Sequence, residues 1–324
     1  MGTVSRYLNR PELVRPATRA VVRSAVETLQ YSPNTIARSL RSGRTNLIMV
    51  VMWMLGDPFD ADVARGIAEA AARRNYSIFY SEAHLPRAAA PDLHAILLSR
   101  QADGVIILGG QWPFRLSDDY RGTPNLPPVV IAGEGVVSAI RRFPSVRIDT
   151  FRAVSDMTRY IVGLGHKRIA FIGGEARSPR TEERVEAFAH AMAEAGLATP
   201  PDYVVCGDLT IDGARRVTHE LLSLASPPTA VICSTDEMAI GAMAEARAMG
   251  LTVPRDLSVV GFDDTRYASV TNPPLTTISQ PARIIGEQSF NLLWRLLNDP
   301  ATDARTPVVP YHLVIRDSAA PPRA

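Results

Sequence analysis

From Leu47 onward, short runs of apolar residues alternate with segments in which apolar residues recur every three to four positions. LIMVVMWML (47–55), SIFYS (77–81), GVIIL (104–108) and PVVIA (128–132) form the first series, with amphipathic stretches at 60–74 and 91–101. A second series opens near Val146 with VRI. It continues through a helix at 152–164, RIAFIGG (168–174), a helix at 181–196, YVVC (203–206), a helix at 212–224, AVICS (230–234), a helix at 236–249 and LSVVGFD (257–263). Runs that are apolar at every position suit strands buried on both faces. The alternation therefore predicts an α/β fold with two doubly wound parallel-sheet lobes. A helix at about 281–298 and a strand VVPYHLVI (308–315) come after the second series. One or both are expected to return to the first lobe, so that the chain crosses between lobes and leaves a cleft. The expected division is 46–148 plus 278–304 for one lobe and 149–277 plus 305–320 for the other.

Upstream the pattern is different. Thr3–Asn9 reads as a helix with Val4, Tyr7 and Leu8 on one face and Ser5, Arg6 and Asn9 turned away, and Pro11 ends it. A second helix at about 16–30 carries Val22, Val26 and Leu29 at helical spacing. Two such helices hold too little apolar surface for a core of their own. In the segment that follows, Ser32 suits a cap, Pro33 a first helical turn and Gly43 a stop. Isolated helices under roughly 12 residues rarely persist in water. A helix over residues 32–41 would be ordered only when something packs on it, which makes it a plausible switch.

At 324 residues the chain exceeds one typical core. Its net charge of +2 hides an asymmetry: residues 1–45 hold eight arginines against Glu12 and Glu27, a net of +6, leaving −4 for the remainder. A basic arm on a mildly acidic body suits a nucleic-acid partner. Lys167 is the only lysine, so part of that arginine content is compositional habit. Cys206 and Cys233 sit in apolar runs without metal-type spacing and read as buried inert thiols. The N-terminal residues contain no apolar leader, and no run is long enough to span a membrane. The expected location is the cytoplasm, at the nucleoid.

No nucleophile elbow, phosphate loop or dinucleotide fingerprint occurs, and the six histidines show no metal-ligand spacing. No cofactor or metal is expected, and an enzyme is disfavoured. His166 reads as a structural hydrogen-bonding residue, whereas Asp263-Asp264 could form a carboxylate pair. Ligands of open parallel sheets bind beyond the carboxyl ends of the strands. Polar residues at those positions are Asp57 and Asp60 after the first strand, Ser234-Thr235-Asp236, and Asp263-Asp264. Gln280 lies at the crossover and Arg184 in the first turns of a helix.

The segments TVSRYLN (3–9), YSPNTIARSLRSGRT (31–45), GLGHKRIAFIGG (163–174), STDEMAIGAM (234–243), LSVVGFDDT (257–265) and PPLTTISQP (273–281) resemble the lactose-repressor (LacI/GalR) family of transcription regulators. They span nearly the whole chain in family order. The resemblance implies a helix-turn-helix head over 1–31, a hinge helix and linker over 32–45, and a core similar to type I periplasmic sugar-binding proteins. It implies a homodimer, or a tetramer of two dimers, on pseudo-palindromic operator DNA. Thr3, Ser5, Arg6 and Asn9 inherit major-groove or phosphate contacts. In the hinge, Leu40 becomes an apolar wedge in the minor groove, with Ala37 beside it and Arg41 at the groove edge. On spacing alone Leu40 would be an ordinary packing residue.

By the same resemblance Arg184 grips effector oxygens, Asp236 and Asp263 accept effector protons, and Phe59 forms an aromatic wall. Asp60 stands where relatives carry a second aromatic, and Gln280 joins the set. The competing readings are a helix N-cap for Asp236 and a surface position for Arg184. This group suits a sugar or sugar derivative first and a purine or nucleoside second. Arg184→Ala is expected to abolish the effector response with the fold intact. The family begins with an earlier helix, and Met1-Gly2 occupy base-reading positions. A late recorded start is therefore expected, with poor operator binding by this exact chain and loose order over its first 30 or so residues. Two other classes compete: a sugar-binding protein for transport or signalling, and a regulator without DNA binding.

Overall fold

The computed structural model describes residues 2–31, 43–83, 95–96, 99, 101–109, 126–133, 143–299 and 308–323, with the backbone alone at Ser5, Leu8 and Asn9. The chain forms two compact units, Met1–Asn46 and Leu47–Ala324.

In the first unit, α1 (Thr3–Asn9) leads through a 3-10 turn at Pro11–Leu13 to α2 (Pro16–Thr28). Pro11 and Pro16 each stand in a first turn, where a missing amide costs nothing. The second helix stops short of its expected end because Leu29 caps it and Gln30 turns left-handed at φ 45°. Among the described residues of this unit only Val14 is buried, and Val21 and Leu29 are 70% and 76% exposed. The hinge residues Ala37, Leu40 and Arg41 lie outside the described residues.

The second unit contains two sheets. The first comprises β1 (Leu47–Met52), β2 (Ser77–Glu82), β3 (Gly104–Leu108), β4 (Val129–Ala132) and β5 (Ser145–Val146) in the order β2-β1-β3-β4-β5, all parallel. The second comprises β6 (Ile169–Gly173), β7 (Val204–Cys206), β8 (Ala230–Cys233), β9 (Ser258–Asp263), β10 (Thr276–Ser279) and β11 (His312–Val314) in the order β11-β10-β9-β8-β6-β7. Only β11 runs antiparallel. Central strands β3, β4, β6 and β8 are buried at every position, as their unbroken apolar runs require. Helices α3 (Pro58–Ala72), α4 (Thr150–Gly163), α5 (Pro179–Glu194), α6 (Ile211–Leu222), α7 (Asp236–Ala248) and α8 (Ala282–Asn298) cover them.

Several sequence expectations are corrected. The apolar run at 47–55 ends its strand at Met52, because Asp57 and Pro58 start the next helix. The strand near Val146 closes the first sheet rather than opening the second. Most of the proposed helix at 91–101 lies outside the described residues. In VVPYHLVI only 312–314 is strand; Pro310 lacks a donor, and Val308 makes an isolated bridge with Arg147. Cys233 is buried, but Cys206 is only partly so.

After β10 the chain returns to the first lobe, where α8 packs on α3. Their contact is close: a methyl group on Gly66 would meet the backbone of Arg283, and one on Gly286 would meet the backbone of Val63. Gly66→Ala is therefore expected to destabilise the protein by about 1–3 kcal/mol in urea unfolding. An unchanged midpoint would show that the helices part freely. His166 has the structural role expected of it: its ring bonds Thr229 Oγ1 at 2.8 Å, Ser258 Oγ at 3.1 Å and the Ala320 carbonyl at 2.9 Å. Among the described residues no helix is long and apolar enough to cross a membrane.

Candidate functional site

Both sheets reverse their strand order beside their first strand, between β1 and β3 and between β6 and β8. Ligand sites of doubly wound sheets form at such reversals, beyond the carboxyl ends of the strands. After β1, the Asp57 carboxylate accepts the amides of Phe59 (2.8 Å) and Asp60 (3.1 Å) and starts α3. That cap buries Phe59 and Asp60 on the first turn. Burial, and then the neighbouring Asp57, pushes the Asp60 carboxyl up to about 8, against the opposing pull of Arg180.

After β6, Ser178 caps α5 through the Thr181 amide, and Arg184 follows on the inner face. Arg184 is 2% exposed, so it is no surface residue. It donates to the Ser234 carbonyl at the end of β8 and lies 3.9 Å over the Phe262 ring of β9. One side chain thus ties α5 to the ends of β8 and β9.

At the end of β9 the chain takes two left-handed residues, Asp263 (φ 115°) and Asp264 (φ 55°), which send their carboxyls to different partners. Asp263 accepts Gln280 Nε2–H at 2.7 Å, whereas Asp264 pairs with Arg316 at 2.6 Å. They are therefore not the shared carboxylate pair that acid–base work would need. Burial raises the Asp263 carboxyl well above the usual range, and Arg184 is the strongest opposing influence.

Asp236 is not the cap of α7. Thr235 is, through the Met238 amide. The Asp236 carboxylate points inward and accepts the Thr277 hydroxyl and the Thr265 amide, each at 2.6 Å. Gly261 leaves room for it, since a methyl group there would run into an Asp236 oxygen. Burial lifts its carboxyl to about 6. Asp236 ties the β8–α7 junction to β9 and β10, and its inward hydrogen bonds leave it less free for a ligand than Asp263.

A cavity of about 320 Å³ opens between Phe59 of the first lobe, Asp263 and Thr265 of the second, and Gln280 at the crossover between them. The structure thus brings Phe59, Asp263 and Gln280 onto one wall system, with Arg184 and Asp236 acting electrostatically on Asp263 from behind it; Asp60, buried at the start of α3, is not among the residues that line the cavity. Two groups went unnoticed in the sequence. Trp53 donates its ring N–H to Glu175 at 3.2 Å, joining the end of β1 to the loop after β6. Arg180, one turn before Arg184, acts on both Asp60 and Asp263. The strand-end rule that selected Asp57 would have found Trp53 as well. In the head, Thr3 and Arg6 are exposed on α1, while the side chains of Ser5 and Asn9 lie outside the described residues.

Residues 1–34 match the model of bacterial regulatory proteins of the lacI family, and 158–319 match a periplasmic binding protein-like domain. The chain is 33% identical over 317 residues to the HTH-type transcriptional repressor CytR of Escherichia coli K12, covering 98% of this chain and 92% of the relative. The lac repressor dimer bound to operator and the anti-inducer ONPF superposes with a TM-score of 0.84 at 27% identity, over 98% and 94% of the two chains. The transcriptional regulator CelR–cellobiose complex gives 0.77 at 29% identity, over 98% and 95%.

Proposed function

Because this chain belongs to the LacI family of bacterial regulatory proteins, we propose that it is a transcriptional repressor whose grip on operator DNA is set by a sugar or sugar derivative in the interlobe cleft. It is a DNA-binding regulator, not an enzyme. Phe59 supplies an apolar face for the ligand ring. Asp263 and Gln280 supply the polar wall, and Arg184, Asp60 and Asp236 set its charge and shape from behind. The observation that carries this reading is the buried Gln280 carboxamide: Nε2 is engaged by Asp263, while Oε1 has no hydrogen-bond partner among the described residues. Such an atom costs about 1–3 kcal/mol unless a ligand donates to it. A structural relative with cellobiose in its complex supports the sugar class.

The protein acts as a homodimer in the cytoplasm, placing two heads on a two-fold symmetric site. Thr3, Ser5, Arg6 and Asn9 meet the major groove, and Ala37, Leu40 and Arg41 the minor groove. Ligand changes the angle between lobes and so the spacing of the two hinge segments. Moving such an equilibrium from 1:99 to 99:1 takes about 5.5 kcal/mol of differential affinity. Two or three charge-assisted hydrogen bonds at about 1.5–3 kcal/mol each supply that amount. Genome-wide mapping of the native protein's DNA occupancy tests the reading. Sharp two-fold symmetric sites that empty or fill as the carbon source changes are expected. Occupancy without discrete sites on every carbon source would overturn it.

A further inference from the structure

Each wall of the cleft is braced from within. In the first lobe α3 and α8 approach so closely that a methyl group on Gly66 or Gly286 would strike the backbone of the other helix. In the second, Asp236 ties the start of α7 to Thr265 after β9 and to Thr277 of β10. A change in cleft shape is therefore a change in the spacing of two stiff bodies, and side chains that span the gap register it.

One such span lies beside the cavity. Trp53 directly follows β1, Glu175 stands two residues after β6, and the Trp53 ring N–H donates to the Glu175 carboxylate at 3.2 Å. Both residues are half-buried, and neither lines the cavity. In the second sheet β8 stands between β6 and β9. The contact is thus two strand spacings, about 10 Å, from the Asp263 wall. An indole has a single donor on a rigid plate with two torsions, so it cannot follow a receding lobe as a long flexible chain could. The hydrogen bond it makes fails within a few tenths of an ångström. It is made at one lobe spacing and lost on a small opening.

We propose that Trp53 and Glu175 form a latch that holds the lobes at their closed spacing and so lowers the amount of effector needed to close them. An effector between Phe59 and Asp263 touches both lobes and favours the same spacing from its own place, so latch and ligand act together rather than compete. This rests on the cleft being the effector site.

The test compares the whole parent chain with Trp53→Phe, Glu175→Ala and the double variant. Hydrogen exchange is read at the cap-held amides of Phe59 and Asp60 in one lobe and of Thr181 in the other. Each single variant is expected to speed exchange on both sides by about 3- to 10-fold, the value of one partly exposed hydrogen bond, and the double to add little more. In cells, the amount of carbon source that half-shifts DNA occupancy is expected to rise by a similar factor. Arg73→Ala, which breaks an exposed ion pair within the first lobe, is expected to change neither. Faster exchange confined to the mutated lobe, additive effects of the two changes, or an unchanged midpoint would overturn the latch and leave the effector reading standing. Occupancy that ignores the carbon source in the parent as well would remove that reading, and the latch with it.

Discussion

Replacing Arg184 by alanine is expected to abolish the effector's influence on operator binding and, at the same time, to lower the protein's stability by about 3–5 kcal/mol. From sequence alone the variant was expected to keep its fold intact, as a ligand-gripping side chain at a cleft surface would allow. The structure changes that expectation. Arg184 is 2% exposed, donates to the Ser234 carbonyl and covers the Phe262 ring. It is also the main influence opposing the buried Asp263 carboxyl's tendency to stay protonated. Its removal leaves a cavity against an aromatic ring and a buried acid without its counter-charge. Urea unfolding and effector-dependent DNA binding read the two effects separately. Arg184→Lys keeps the charge without the planar fork, so it should retain more stability while still losing at least tenfold in response. A normal effector response in either variant would take Arg184 out of the site.

Asp60→Asn is expected to stabilise the protein at alkaline pH. In the unfolded chain this carboxyl titrates near 3.8, whereas in the folded protein it is held at about 8. Below 3.8 both states hold the proton. Between the two values the folded protein keeps a proton that the unfolded chain has lost, so this group's contribution falls as pH rises and is gone above about 8. Ionising Asp60 in place costs on the order of 5 kcal/mol, an upper value because the surroundings relax. Asparagine has the neutral acid's shape without its titration. Parent and variant should therefore be similarly stable at pH 4, diverge steadily to about pH 8 and run parallel above it, with the variant ahead by several kcal/mol. Asp236, held at about 6, adds a slope of the same sign at lower pH but is common to both proteins and cancels in the comparison. Parallel stability curves over pH 4–9 would refute a buried, proton-holding Asp60.

Much of the architecture was legible in one dimension. Strands such as GVIIL (104–108) and AVIC (230–233) are apolar at every position because helices cover both their faces. The start of α3 was written in Asp57-Pro58, a side-chain acceptor followed by a residue that needs no amide partner. Asp263 falls at a strand end, Gln280 at a crossover, and Phe59 and Arg184 in the first turns of helices that follow strands, where the sheet topology collects them. The errors share one origin. The N-cap reading of Asp236 fails because Thr235 takes that place, while the Asp236 carboxylate turns inward to Thr265 and Thr277, residues 29 and 41 positions away. Asp263 and Asp264 were grouped because they are adjacent, yet successive left-handed residues separate them.

Which segments become strands and helices, the doubly wound class, and the basic head ahead of an acidic body could all be read from residue order. These follow from hydrophobic period, capping chemistry and charge, all properties of neighbouring residues. Folding alone places Arg184, buried, over the Phe262 ring, turns the Asp236 carboxylate inward, joins Trp53 to Glu175 across the lobes, and leaves the side-chain oxygen of Gln280 without a hydrogen-bond partner among the described residues. The partners of a buried polar group come from strands distant in the chain, and a hydrogen bond forms or fails within a few tenths of an ångström. No local pattern of residues carries that distance.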